Sequence, residues 1–134
     1  MSAKRHRISS TGTDNANHVD IAYGSGYYVI VSKELSDTPG DYFVMVHFVD
    51  ASTMQTVYSR KLFTVALTFG SDLRVVISGT NVVIVFNSGA NIYGARLSLL
   101  SLSSGFALYA TLASDYNITT FDVLALTTRV ALAY

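Results

Sequence analysis

The sequence predicts an all-β chain assembled from one repeated unit, on three observations. Runs such as Tyr42-Phe43-Val44-Met45-Val46-His47-Phe48-Val49 and Val82-Val83-Ile84-Val85-Phe86 are β-branched and aromatic, and Gly, Asn, Ser or Asp bounds each of them. No long window keeps an apolar stripe at helical spacing with capping residues at its ends. Finally, one stretch comes back twice: residues 19–31, 73–85 and 121–133 each read as an apolar strand, a short turn of small polar residues and a second apolar strand.

Composition agrees with a packed single domain. The chain has 134 residues, 50% of them hydrophobic and 13% charged, with a formal net charge of zero. That balance excludes a disordered segment, and it supplies no global electrostatic attraction to nucleic acid or to an anionic membrane. Neither partner is expected. No apolar run is long enough for a membrane-spanning helix, and no apolar stretch follows the basic cluster Lys4-Arg5-His6-Arg7, so no secretory signal is read. The chain reads as soluble, with its compartment open. Cysteine is absent, which removes disulfides, thiolate metal sites and cysteine nucleophiles together.

Taken in order, the copies define their own strands. An offset of 54 residues places Ile30 on Ile84, and an offset of 48 places Ile84 on Leu132. The first offset holds back to the N-terminus, where Arg7-Ile8-Ser9-Ser10 falls on Lys61-Leu62-Phe63-Thr64. From Phe43 onward it shortens to 48, so the first copy carries six extra residues. They lie within Lys33-Glu34-Leu35-Ser36-Asp37-Thr38-Pro39-Gly40-Asp41, a polar loop that holds the only proline. Each full copy contains four strands, which in the first copy cover about 19–23, 27–31, 42–50 and 57–64. The Ser/Leu alternation over 97–102 reads as a further half-buried strand.

A four-stranded antiparallel unit of this length, repeated in tandem, resembles a blade of the β-propeller superfamily over nearly the whole chain. The resemblance rests on the repeat alone. Without tryptophan there is no WD signature or sialidase Asp-box, and no kelch double glycine is present. It implies one repeat domain over 1–134. Residues 1–17 would be the outer strand and loop of a composite blade, 18–64 blade one, 65–112 blade two, and 113–134 the first two strands of a composite blade. Two and a half to three blades expose apolar faces and open edges, so the resemblance implies a ring closed by homo-oligomerisation. A dimer would give six blades, two of them composite. The other reading is a piece of a longer propeller chain.

The same alignment nominates candidate sites. Asp20, Arg74 and Asp122 occupy one equivalent position. By the resemblance they would ring one mouth of a central channel, either as a polar ligand site or as Asp–Arg pairs joining adjacent inner strands. Tyr27, Asn81 and Arg129 share a second position, at the first residue of each second strand, where Tyr and Arg suit stacking on a sugar or base. They would lie at the opposite end from the Asp/Arg position. Glu34, Asp37 and Asp41 offer oxygen ligands in the enlarged loop but lack the spacing of a calcium loop. His6, His18 and His47 have no metal-ligand spacing. No nucleophile elbow or phosphate-cradling loop is present. The expected function is a non-enzymatic binding module with a glycan as ligand, acting as a closed homo-oligomer without cofactor or metal. The alternative is a structural or interaction component of a larger assembly, such as a phage or virion protein.

Overall fold

The computed structural model of the chain describes residues 18–35, 42–62, 72–88, 91–102, 107–114, 121–126 and 130–133. Strands β1 (His18–Gly24), β2 (Tyr27–Leu35), β3 (Tyr42–Asp50) and β4 (Gln55–Lys61) form one antiparallel sheet in chain order. Strands β5 (Leu73–Ser78), β6 (Asn81–Ser88), β7 (Asn91–Ser98) and β8 (Ala107–Ser114) repeat that order in a second sheet. A third sheet holds β9 (Asp122–Ala125) and β10 (Val130–Ala133). The protein is all-β with antiparallel sheets, and none of these sheets closes on itself among the described residues. No helix of the described residues is long and apolar enough to cross a membrane.

The pairing register carries the repeat into three dimensions. Asp20 pairs with Val31, Arg74 with Val85 and Asp122 with Ala133, which is one pair under the two sequence offsets. Tyr27 opposite Asp50 likewise becomes Asn81 opposite Ser98. Two tight turns set the hairpins. Ser25 (φ 50°) and Gly26 (φ 82°) both lie at positive φ, the arrangement of a type I′ turn, whereas Gly79 (φ 60°) before Thr80 matches type II′. Both turns twist in the sense that the flanking strands require.

Three strand boundaries differ from the sequence expectation, the first being β4, which covers Gln55–Lys61 where about 57–64 is expected. Lys33, Glu34 and Leu35 continue β2 instead of opening a loop, because Val29, Val31 and Lys33 keep the period-2 alternation on one face. The 97–102 stretch ends its strand at Ser98; Leu99 and Leu100 form a turn, where the Leu99 N–H donates to Thr80 O at 2.7 Å.

The sheets stack face to face in chain order. Val29, Val31, Val44, Val46 and Phe48 of the first sheet share one core with Leu73, Val75, Val82, Ile84 and Phe86 of the second. On the other face of the second sheet, Val85 and Ile92 pack with Phe121, while Val83, Val123 and Leu132 border them. The first strands of successive sheets adjoin, β5 against β1 and β9 against β5. The approach is close at Gly24, where a Cβ would lie 2.7 Å from Ile77 Cγ2. The stack leaves its ends open. Val19 and Ile21 on β1 are 57% and 56% exposed, whereas their repeat equivalents Leu73 and Val75 are 2% and 4% exposed, and Phe121, which takes the place of Val19 in the third copy, is 3% exposed. At the far end Leu124 and Leu126 are 62% and 47% exposed.

The β3–β4 turn is held by one carboxylate. Asp50 Oδ1 accepts from the Ser52 N–H at 2.8 Å, the Ser52 hydroxyl at 2.6 Å and the Thr53 N–H at 3.1 Å. Met54 closes the turn at φ 57°, and its N–H donates to Asp50 O at 2.8 Å. A side chain there carries the left-handed penalty that glycine avoids. Met54→Gly is expected to raise unfolding stability by about 0.5–1 kcal/mol in urea titrations.

Candidate functional site

The Asp20/Arg74/Asp122 position lies on the first strands of the three sheets, and its members do different work. Asp20 Oδ2 accepts the Val75 N–H at 2.8 Å, so this carboxylate ties β1 to the edge of β5. Arg74 Nη1 donates to Asp72 Oδ1 at 2.8 Å and to Leu73 O at 3.0 Å, and its Nε stands 3.9 Å from Asp122 Oδ1. Asp122 is largely exposed and accepts the N–H of Val123 at 2.8 Å. The structure therefore brings Arg74 and Asp122 together across adjacent sheets and gives Asp20 to the backbone.

Asp72 is the member that sequence reasoning missed. It sits two residues before Arg74 on the same face. Its N–H donates to the Asn87 side-chain oxygen, and its carbonyl accepts the Asn87 N–H at 3.2 Å. It also raises the pKa of Lys33, which lies against this end of the second sheet. Lys33 is 1% exposed, and burial of its ammonium outweighs the Asp72 attraction, so its pKa falls below the ordinary 10.5.

That shift has a definite sign. With the folded pKa below the unfolded one, the unfolded chain binds more protons as pH climbs from the folded value to 10.5, and stability rises across that interval. Lys33→Met keeps most of the stem and removes the ammonium. Unfolding stability at pH 7 is expected to change by no more than about 1 kcal/mol. The difference between parent and variant should then shift toward the parent in the alkaline interval, read from urea midpoints at pH 7 and pH 10. A pH-independent difference would contradict it.

The second position lies at the other end of the hairpins. Tyr27 begins β2, half-buried against the core, and Asn81 begins β6 in the same register. Arg129 lies outside the described residues. Tyr27 forms one wall of an open cleft of about 460 Å³ that Tyr23, Ser25, Gly26, Asp50, Ala51 and Ser52 also line. The β1–β2 turn and the β3–β4 turn meet here because Tyr27 pairs with Asp50, and the Ala51 N–H donates to Gly26 O at 2.9 Å. The Tyr23 ring rests on Tyr28, with centroids 5.0 Å apart and planes inclined by 44°. Asp50 is held below the usual carboxylate range, first by the Ser52 hydroxyl, then by the Thr53 and Ser52 amides. A carboxylate so placed is ionised at neutral pH.

The remaining candidates divide. Glu34 Oε1 accepts from the Ser32 hydroxyl at 3.0 Å and stands 4.0 Å from His47 Nε2, while His47 Nδ1 meets the Ser59 hydroxyl at 2.8 Å. Asp37, Asp41 and His6 lie outside the described residues. Among the described residues no group of three His, Asp or Glu side chains is placed to hold a metal ion. No protein-family model, curated protein or solved structure matches the chain.

Proposed function

We propose that the chain is a non-enzymatic binding module that works as a closed ring of its own copies, in the manner of a β-propeller. One observation carries this reading: Ile21 is 56% exposed, whereas Val75, at the same place one repeat later, is 4% exposed because the first sheet covers it. An apolar face that is covered wherever a preceding sheet exists calls for a preceding sheet. The β9–β10 hairpin of a second copy supplies one. Its outer face presents Leu124, Ala131 and Ala133 around a shallow hollow of about 350 Å³.

The internal junction is the template for the external one. As Asp20 takes the N–H of Val75, Asp122 would take the N–H of Ile21 of the partner subunit, since Ile21 pairs with Ile30 as Val75 pairs with Ile84. The contact is head-to-tail, and two chains close it with six sheets. In the third sheet, β9–β10 would be completed by the N-terminal segment of the partner. The ring presents its binding sites in several copies, which favours multivalent ligands such as glycans.

Light scattering tests the reading. The intact chain is expected at twice its 14.5 kDa mass, and removal of residues 1–10 should dissociate or aggregate it. A monomer from the intact chain would overturn the ring.

A further inference from the structure

We infer that the cleft between the β1–β2 and β3–β4 turns is a carbohydrate site, built to take a neutral sugar ring against Tyr23. This site rests on the binding-module reading but does not need the ring, because one chain supplies every wall of the cleft.

Three features converge on that ligand class. First, the aromatic surface is presented and held: Tyr23 is 63% exposed, and Tyr28 packs on it. A tyrosine ring offers a sugar's C–H face a flat apolar support, with few torsions to freeze on binding. Second, the polar lining is made of acceptors. The Ser25 hydroxyl donates to Gly79 O at 3.2 Å and the Ser52 hydroxyl to Asp50 Oδ1, so both oxygens keep lone pairs for a ligand. The Ser52 and Thr53 N–H groups and the Ser52 hydroxyl all donate to Asp50 Oδ1, and the carboxylate gives the cleft an anionic acceptor. Such a lining pairs with a ligand rich in hydroxyl donors and repels an anion. Third, the strain of the fold is concentrated here. Ser25 and Met54 are the non-glycine residues at positive φ among the described residues, and they stand on the two turns that form the cleft.

In a ring the cleft would be narrowed at Tyr23 but not closed. Ile77, the equivalent of Tyr23 one repeat later, remains only half-buried although a preceding sheet covers its strand. In a ring Tyr23 would meet Leu126 of the partner subunit as Ile77 meets Gly24, and half-burial of the kind seen at Ile77 would leave part of the Tyr23 ring open to the cleft.

The test is a backbone-amide NMR titration of the full chain with cellobiose, lactose and N,N′-diacetylchitobiose, with tetramethylammonium as the competing class. At least one sugar is expected to shift the amides of 23–27 and 50–53 at millimolar concentration. Tyr23→Ala should weaken that binding about fivefold to tenfold. Asp50→Asn keeps an acceptor for the turn and removes the charge, and it should weaken binding as well. No shifts with any sugar, shifts confined to other residues, or shifts at these amides with tetramethylammonium alone would each overturn the assignment. Molar mass recorded on the same samples separates this outcome from the ring: a monomer that binds sugar removes the ring and leaves the cleft.

Discussion

Ile21→Lys is expected to abolish self-association while leaving the folded chain intact. In a single chain the side chain at 21 is 56% exposed, so a lysine there keeps its ammonium in water. At concentrations where both chains are monomeric, the unfolding free energy should differ by less than about 0.5 kcal/mol, as for an ordinary surface change. In the ring the same position would be as enclosed as Val75, which is 4% exposed among Leu73, Ile84 and their neighbours. Burying an unpaired ammonium there costs at least about 3 kcal/mol, which weakens association more than about 100-fold. Val57→Lys, on the 51% exposed outer strand β4, is the matched control and should leave the mass unchanged. An Ile21→Lys chain with the parent's mass would contradict the proposed junction.

Gly24→Val is expected to cost about 2–3 kcal/mol of unfolding stability, the second large effect. A Cβ at 24 would already stand 2.7 Å from Ile77 Cγ2 and 3.2 Å from Ile77 Cβ, and two further methyls have no room. The stack of the first sheet on the second must open to admit them, stretching the Asp20–Val75 bond nearby. Shortening the opposing side chain should restore part of the loss. Ile77→Ala in the Gly24→Val background is expected to recover at least about 1 kcal/mol relative to additivity, measured as a double-mutant cycle. Strict additivity would mean that the two residues do not press on one another.

Much of the fold was legible because register follows the hydrophobic pattern. The offsets of 54 and 48 that align Asp20, Arg74 and Asp122 in the sequence also align their strand partners Val31, Val85 and Ala133. The fourth strand of each full sheet was less legible. Phe48 pairs with Tyr58, but its equivalent Arg96 pairs with Ala107, one residue beyond the repeat position, beside register shifts in both sheets. A bulge shifts the pairing by one residue in one strand, so the spacing of the repeat alone does not reveal it.

The candidate site was legible in part, for residue-level reasons. Lys33 reads as a loop residue because lysine is seldom buried, yet its stem extends the apolar face of β2. Asp72 has His18 and Thr120 at its repeat equivalents, so no recurrence marks it. Tyr27 was nominated, whereas Tyr23, Asp50 and Ser52 were not. Their meeting depends on the Tyr27–Asp50 pairing, which joins two turns far apart in the sequence. The turn signal itself was present, since Asp50-Ala51-Ser52-Thr53 places an aspartate before two donors to its side chain.

The most direct test of head-to-tail assembly uses the absence of cysteine. Gly24 and Ile77 meet closely across the first two sheets, and Leu126 and Tyr23 are their equivalents at the open ends. Tyr23→Cys and Leu126→Cys chains, prepared separately, mixed and oxidised, should form a disulfide joining one of each, while neither variant alone cross-links to itself. The heterologous pair is what a repeat continuing from one copy into the next requires. Efficient cross-linking within either single variant, or none in the mixture, would contradict it.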